Sequence, residues 1–231
     1  MIMLEHLIRP LLSRWGSVRF PGSQRYWEDR YAQGGTSGPG SSGRLGDFKA
    51  QILNSFVRDF EISSVIEFGC GDGHQLSLMN YPLYIGLDTS PTAVALCRAR
   101  FANDQKKAFI LYKPSQRCAQ PFPVSADLGL SLDVIYHLVE DSIYNVYMAD
   151  LFSAARKFVI IYSTDAGIPS APSQPHIRHR QCSAWIDLHA PRWRLFRSIP
   201  NKHPFCGDYN RGSSADFFIY QNISVGPTVS R

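Results

Sequence analysis

Leu45, Phe48, Ile52, Phe56 and Phe60 recur every three to four positions and form one apolar stripe, which predicts an amphipathic helix over residues 44–60. Beyond it the pattern changes to short apolar runs separated by mixed stretches. Residues 64–68, 83–88, 108–112, 128–132 and 158–163 read as strands. Residues 74–79 predict a short helix and 141–155 a longer one; 90–103 predict another, with Ser90 as cap and Pro91 at its first position. Apolar strands alternating with helices fit a parallel sheet covered on both faces. The end of the chain departs from that alternation. Residues 193–199 and 215–221 are strand-like and joined by a polar loop without a helix, so a hairpin finishes the sheet with one antiparallel strand. The expected fold class is α/β, a Rossmann-like doubly wound and mostly parallel sheet.

The first 43 residues follow a different pattern. Residues 1–15 are apolar in places but interrupted by Glu5, His6, Arg9 and Pro10, which suits a short amphipathic helix packed on the domain rather than a leader or a membrane span. Residues 26–35 are rich in aromatics, and 36–43 are Gly, Ser, Pro and Thr only, a composition for neither helix nor strand. The division expected is an appendage with a flexible lid segment over 1–43, a main domain over 44–223 and a frayed tail over 224–231.

Composition changes this picture little. A net charge of +5 over 231 residues is compatible with anionic substrates or nucleic acid, and the absence of a long Lys/Arg block keeps it from indicating either. Five scattered cysteines without a C-x-x-C pair argue against a disulfide framework or a zinc site, so no metal is expected and a reducing, cytoplasmic location is.

The informative stretch is VIEFGCGDGHQ, residues 65–75. Gly69, Gly71 and Gly73 follow the first strand, at the end of the sheet where doubly wound folds bind ligands. A dinucleotide loop needs G-x-G-x-x-G, and His74 occupies its third glycine position. Glu67 would repel a pyrophosphate, whereas it would attract a sulfonium or an ammonium. Asp88, at the end of the second strand, can accept both hydroxyls of a ribose. E-x-G-x-G-x-G, the acidic end of strand two, SLDVIYHL at strand four and the terminal hairpin together resemble the class I S-adenosylmethionine-dependent methyltransferases over residues 61–221.

That resemblance implies a seven-stranded sheet with its last strand antiparallel and S-adenosylmethionine as cofactor. It implies cofactor contacts from Glu67, Gly69, Cys70, Gly71, Asp72, Gly73, Asp88, Ser131 and Leu132. Strand three ends in Tyr112 and Lys113 rather than the acidic residue many relatives place near adenine. YWEDRYAQGG, SLDVIYHLVED and HIRHR further resemble bacterial methyltransferases of saccharide biosynthesis. The acceptor expected is thus a small molecule, anionic or sugar-linked, methylated on a hydroxyl.

A hydroxyl acceptor needs a base. Asp133, His137 and His179 are the catalytic candidates, with His176 beside them. Trp27, Arg178 and Arg180 are the substrate-binding candidates, the arginines because guanidinium groups pair with carboxylates and phosphates. Trp27, Tyr26, Tyr31 and residues 34–43 are expected to form a lid. Rival readings are an RNA or protein methyltransferase, a non-catalytic nucleoside-binding module and an NAD-dependent oxidoreductase. Strand four ends in SLDV rather than an N-P-P-Y motif and no basic-aromatic stripe appears, which argues against nucleic acid.

Overall fold

The order of strands places the site before any side chain is considered. The computed structural model describes residues 20–117, 120–165 and 174–225. Seven strands, β1 (Val65–Phe68), β2 (Tyr84–Asp88), β3 (Lys107–Leu111), β4 (Ala126–Leu132), β5 (Ala155–Ser163), β6 (Trp193–Ile199) and β7 (Asp216–Asn222), form one sheet in the order β3-β2-β1-β4-β5-β7-β6. β1 to β5 pair in parallel, and β7 runs antiparallel between β5 and β6. The order reverses between β1 and β4. Their carboxyl ends therefore diverge and open a crevice for a ligand.

Side-chain alternation divides the core. Val65, Leu128, Leu130 and Phe158 face α2 (Gly43–Asp59) and α3 (Pro91–Arg100), while Ile66, Phe68, Val159 and Ile161 face α4 (Asp141–Ala154) and α5 (Cys182–His189). The predicted strands and the three longer helices lie within a few residues of their expected bounds. Residues 75–78 make only a 3₁₀ turn in place of the expected short helix.

Residues 20–43 contain more regular structure than their composition suggests. Residues 23–32 form a helix, α1 (Ser23–Ala32), and residues 39–41 a 3₁₀ turn that leads into α2. α1 packs beside α3, and Glu28 accepts hydrogen bonds from Ser90 Oγ (2.5 Å), Thr92 Oγ1 (2.7 Å) and Thr92 N–H (3.2 Å) at the start of that helix. The expected helix over 1–15 and most of the Pro-rich loop after β5 lie outside the described residues. Among the described residues no helix is long and apolar enough to cross a membrane.

Candidate active site

At the carboxyl end of β1 the backbone turns through Gly69, Gly71 and Gly73 with φ of 87°, 56° and 74°, a region L-residues avoid. Gly69, Cys70 and Gly71 line a cleft of about 880 Å³. Asp72 and Gly73 do not. A Cβ on Gly73 would meet Cys97 Sγ at 2.9 Å and Phe101 at 3.0 Å, so this glycine serves the packing of α3. A Cβ on Gly71 would meet Ser37 Oγ at 2.3 Å and Tyr31 Oη at 2.8 Å. The group that approaches the bare backbone at Gly71 here is thus the N-terminal segment.

Two carboxylates expected at the site sit in this cleft. Glu67 is buried and accepts a 2.5 Å hydrogen bond from Tyr84 Oη. Burial lifts its pKa to about 7, against the bond from Tyr84 and the charge of Lys49, and the negative Asp88 adds to the rise. Asp88 accepts Gly71 N–H at Oδ2 and Ser90 N–H at Oδ1, both at 2.9 Å, which leaves each oxygen a further lone pair. Burial raises its pKa to about 6. Two desolvated carboxylates in one cleft fit a cationic ligand with a diol and disfavour a diphosphate.

Leu132 lines the same cleft, whereas Ser131 is buried behind it and donates its hydroxyl to Tyr147 Oη at 2.7 Å, the Tyr147 proton being given to the Phe68 carbonyl at 2.9 Å. Ser131 therefore supports the wall instead of facing the ligand. Thr89, Tyr112 and Pro114 also line the cleft, and Tyr112 donates its hydroxyl to Asp150 at 2.9 Å. Where acidic contact was absent from strand three, an aromatic ring stands.

A second cleft, of about 950 Å³, adjoins the first; Trp27, Ser37, Asp133 and His137 line both. Asp133 sits just past β4 with φ of 59°, outside the usual range of a non-glycine residue. Its Oδ2 accepts from Lys49 Nζ at 2.6 Å and its Oδ1 from Tyr136 Oη at 2.8 Å. Held at both oxygens, each of which keeps a further lone pair, Asp133 is placed to orient a hydroxyl.

Lys49 was not anticipated. It is 1% exposed, lies 5.2 Å from the centre of the Tyr162 ring and lines the first cleft. The signal was present: position 49 is four residues after Leu45 and four before Leu53, so a lysine occupies the buried stripe of α2.

His137 is half-buried among rings. Trp27 meets it edge-on at 4.9 Å and His176 stacks at 5.5 Å. Its Nδ1 lies 3.1 Å from the carbonyl oxygen of His176; a carbonyl only accepts, so Nδ1 carries the proton and Nε2 the lone pair. Burial lowers its pKa to about 4, far from the near-neutral value of an exposed imidazole. The ring is neutral for that reason. His179 also lines the second cleft, with Nδ1 2.7 Å from Thr164 Oγ1 and a pKa lowered by burial.

Arg178 and Arg180 are not brought to either cleft. Arg180 donates to Asp141 at 2.5 Å and to the Leu138 and Val139 carbonyls, and lies over the Tyr144 ring. Arg178 donates to the Val139 carbonyl (3.0 Å) and to Asp141 (3.2 Å). The Leu138 and Val139 carbonyls, in the turn before α4, and the Asp141 carboxylate at its first position claim both guanidinium groups.

The segment after α1 is tied to the glycine turn. Ser37 N–H donates to Asp72 Oδ2 at 3.1 Å, Asp72 N–H donates to Ser37 Oγ at 3.2 Å, and the Tyr31 and Ser37 hydroxyls lie 3.0 Å apart. Asp72 thus holds the segment down over the glycine turn.

Comparisons with known proteins agree with this geometry. Residues 66–150 match the family model described as a methyltransferase domain. The fold resembles NodS, an N-methyltransferase from Bradyrhizobium japonicum in complex with S-adenosyl-L-homocysteine, at TM-score 0.61 and 11% identity over 87% of this chain and 98% of that one. It also resembles magnesium protoporphyrin IX methyltransferase (ChlM) from Synechocystis with bound SAH, at TM-score 0.58 and 15% identity over 86% and 97%. The methyltransferase domain of bacterial CtHen1 gives TM-score 0.57 and 15% identity over 77% and 100%. At these identities the likeness is one of fold. No curated protein matches the chain in sequence. Fold and domain match together support the class I S-adenosylmethionine-dependent methyltransferases, with S-adenosylmethionine as the cofactor.

Proposed function

We propose that the protein transfers a methyl group from S-adenosylmethionine to a hydroxyl of a saccharide or sugar-like small molecule. The observation that carries the reading is the meeting of two clefts at Trp27, Asp133 and His137. In the first, Glu67 and Gly69 to Gly71 would hold the methionine part and Asp88 the ribose. In the second, the rings of Tyr26, Trp27, Tyr136 and Tyr209 share the lining with polar groups of Thr164, His179 and Ser213. Flat apolar faces with a few convergent hydrogen-bonding groups suit a polyhydroxylated ring.

When bound, S-adenosylmethionine supplies a methyl carbon activated by a sulfonium. The chain holds the acceptor oxygen in line with that carbon, a contribution that can reach ~7–11 kcal/mol. His137 takes the hydroxyl proton at Nε2 while Nδ1 stays bonded to the His176 carbonyl. Asp133, fixed by Lys49 and Tyr136, orients the hydroxyl, and His179 contacts the acceptor further along the cleft. The lid excludes water.

His137→Asn tests this assignment, since its amide nitrogen takes the place of Nδ1 and nothing replaces Nε2. Turnover on the accepted substrate of a sugar panel should fall about 10²–10⁴-fold with S-adenosylhomocysteine affinity kept. Unchanged turnover removes His137 as the base.

A further inference from the structure

The second cleft has an unequal charge balance. Among the described residues, two side chains with formal charge line it, Arg30 and Asp133. The charge of Asp133 is met by Lys49 at 2.6 Å. Arg30, projecting from the end of α1, has no carboxylate within ion-pair distance among the described residues. Burial lowers the pKa of the three histidines of the cleft, His137, His176 and His179, and Arg30 adds to that effect on the first two. A half-buried guanidinium is left to set the sign of the cleft.

Its position is fixed. Nε donates to the Thr36 carbonyl at 2.6 Å, and the guanidinium carbon lies 5.6 Å from the centre of the Trp27 ring. Nη2 lies beside Gly38, 3.9 Å from where a Cβ would stand. One edge is therefore used to hold the lid segment, while among the described residues no hydrogen bond is made by the two terminal nitrogens. These form the fork that accepts a planar or tetrahedral oxyanion. Arg178 and Arg180 cannot serve, being spent on Asp141 and backbone carbonyls.

We infer that Arg30 is the anchor for an anionic group, a carboxylate or phosphate, on the molecule that enters the second cleft. The inference rests on the methyltransferase reading only for calling that molecule the acceptor; the anion site itself stands on the cleft. An acidic acceptor would lie with its anion at Arg30 on the lid side and its reacting hydroxyl near His137. Trp27 bridges the two, since it touches both residues. The acceptors favoured are then uronic acids or sugar phosphates over neutral sugars.

The test is calorimetric titration of the full chain, loaded with S-adenosylhomocysteine, with inorganic phosphate and separately with acetate. One of the two should bind the wild-type protein, and which one does so separates a phosphate from a carboxylate group. Arg30→Gln should weaken that binding about tenfold or more, and Arg30→Lys by less, because it keeps the charge. The paired variant Arg178→Ala, Arg180→Ala should leave it unchanged. If Arg30 only holds the lid, Lys and Gln behave alike, because neither restores the bond to the Thr36 carbonyl in the same geometry, and the inference fails. It also fails if neither anion binds, or if binding survives Arg30→Gln. Loss of S-adenosylhomocysteine binding by the wild type would instead overturn the methyltransferase reading, and the anion titration is then read on the unloaded chain.

Discussion

At the scale of single residues, burial sets the behaviour of the ionisable groups. Glu67 has its pKa raised from the usual 4.5 to about 7, so between those values the folded protein keeps a proton the unfolded chain has lost. Stability from this group is therefore greatest below pH ~4.5 and declines as pH rises through ~7. His137 acts in the opposite sense. Its pKa falls from 6.5 to about 4, so the unfolded chain gains the proton first and stability falls as pH drops from ~6.5 towards 4. The two effects oppose one another in unfolding measurements over much of that window, and cofactor affinity separates them. A sulfonium beside Glu67 favours the ionised carboxylate, so S-adenosylmethionine should bind more tightly at pH 7.5 than at pH 5.5, by ~10-fold. Calorimetry at the two pH values checks this. Equal affinities would show that Glu67 does not face the cation. The acid limb of turnover at saturating cofactor should lie near pH 4 to 5, well below that of an exposed histidine.

At the scale of elements, α1 and the segment after it behave as one strap. Glu28 ties it to the start of α3, Glu140 receives the N–H of Ser23 at 2.9 Å, and Ser37 closes on Asp72. Gly71→Ala places a methyl where Ser37 Oγ and Tyr31 Oη now lie, at a φ that also disfavours alanine. The expected result is a strap displaced from the glycine turn, faster proteolysis between residues 34 and 43, and a stability loss of about 1–2 kcal/mol. A variant as resistant as the wild type would show that the strap does not depend on that contact. The composition of residues 34–43 gave no hint of this order. Gly, Ser and Pro supply turns, and whether a turn is held depends on a partner, here Asp72, that is distant in sequence.

At the scale of the whole molecule, the Lys49–Asp133 pair joins α2 to the end of β4 across the point where the two clefts meet. Lys49→Ala would leave Asp133 with only the Tyr136 hydroxyl and open a buried space, at a cost of about 3–5 kcal/mol. Lys49→Met fills the space without the charge. A chemical denaturation series should rank wild type above Met and Met above Ala, and equal midpoints for all three would remove the pair from the account of stability. The sequence by itself determined the α/β alternation, the terminal hairpin and the carboxylate-and-glycine turn, because apolar period, chain direction and backbone permissiveness are local properties. It placed Glu67, Gly69 to Gly71, Asp88, Asp133 and His137 at one end of the sheet for the same reason. Only the tertiary structure decided the rest. Arg178 and Arg180 were drawn to Asp141 and to backbone carbonyls, Ser131 went behind the wall, and Lys49 and Arg30 came to the clefts from separate helices. Which charge meets which is fixed by packing between elements far apart in the chain, and no periodicity along the chain records it.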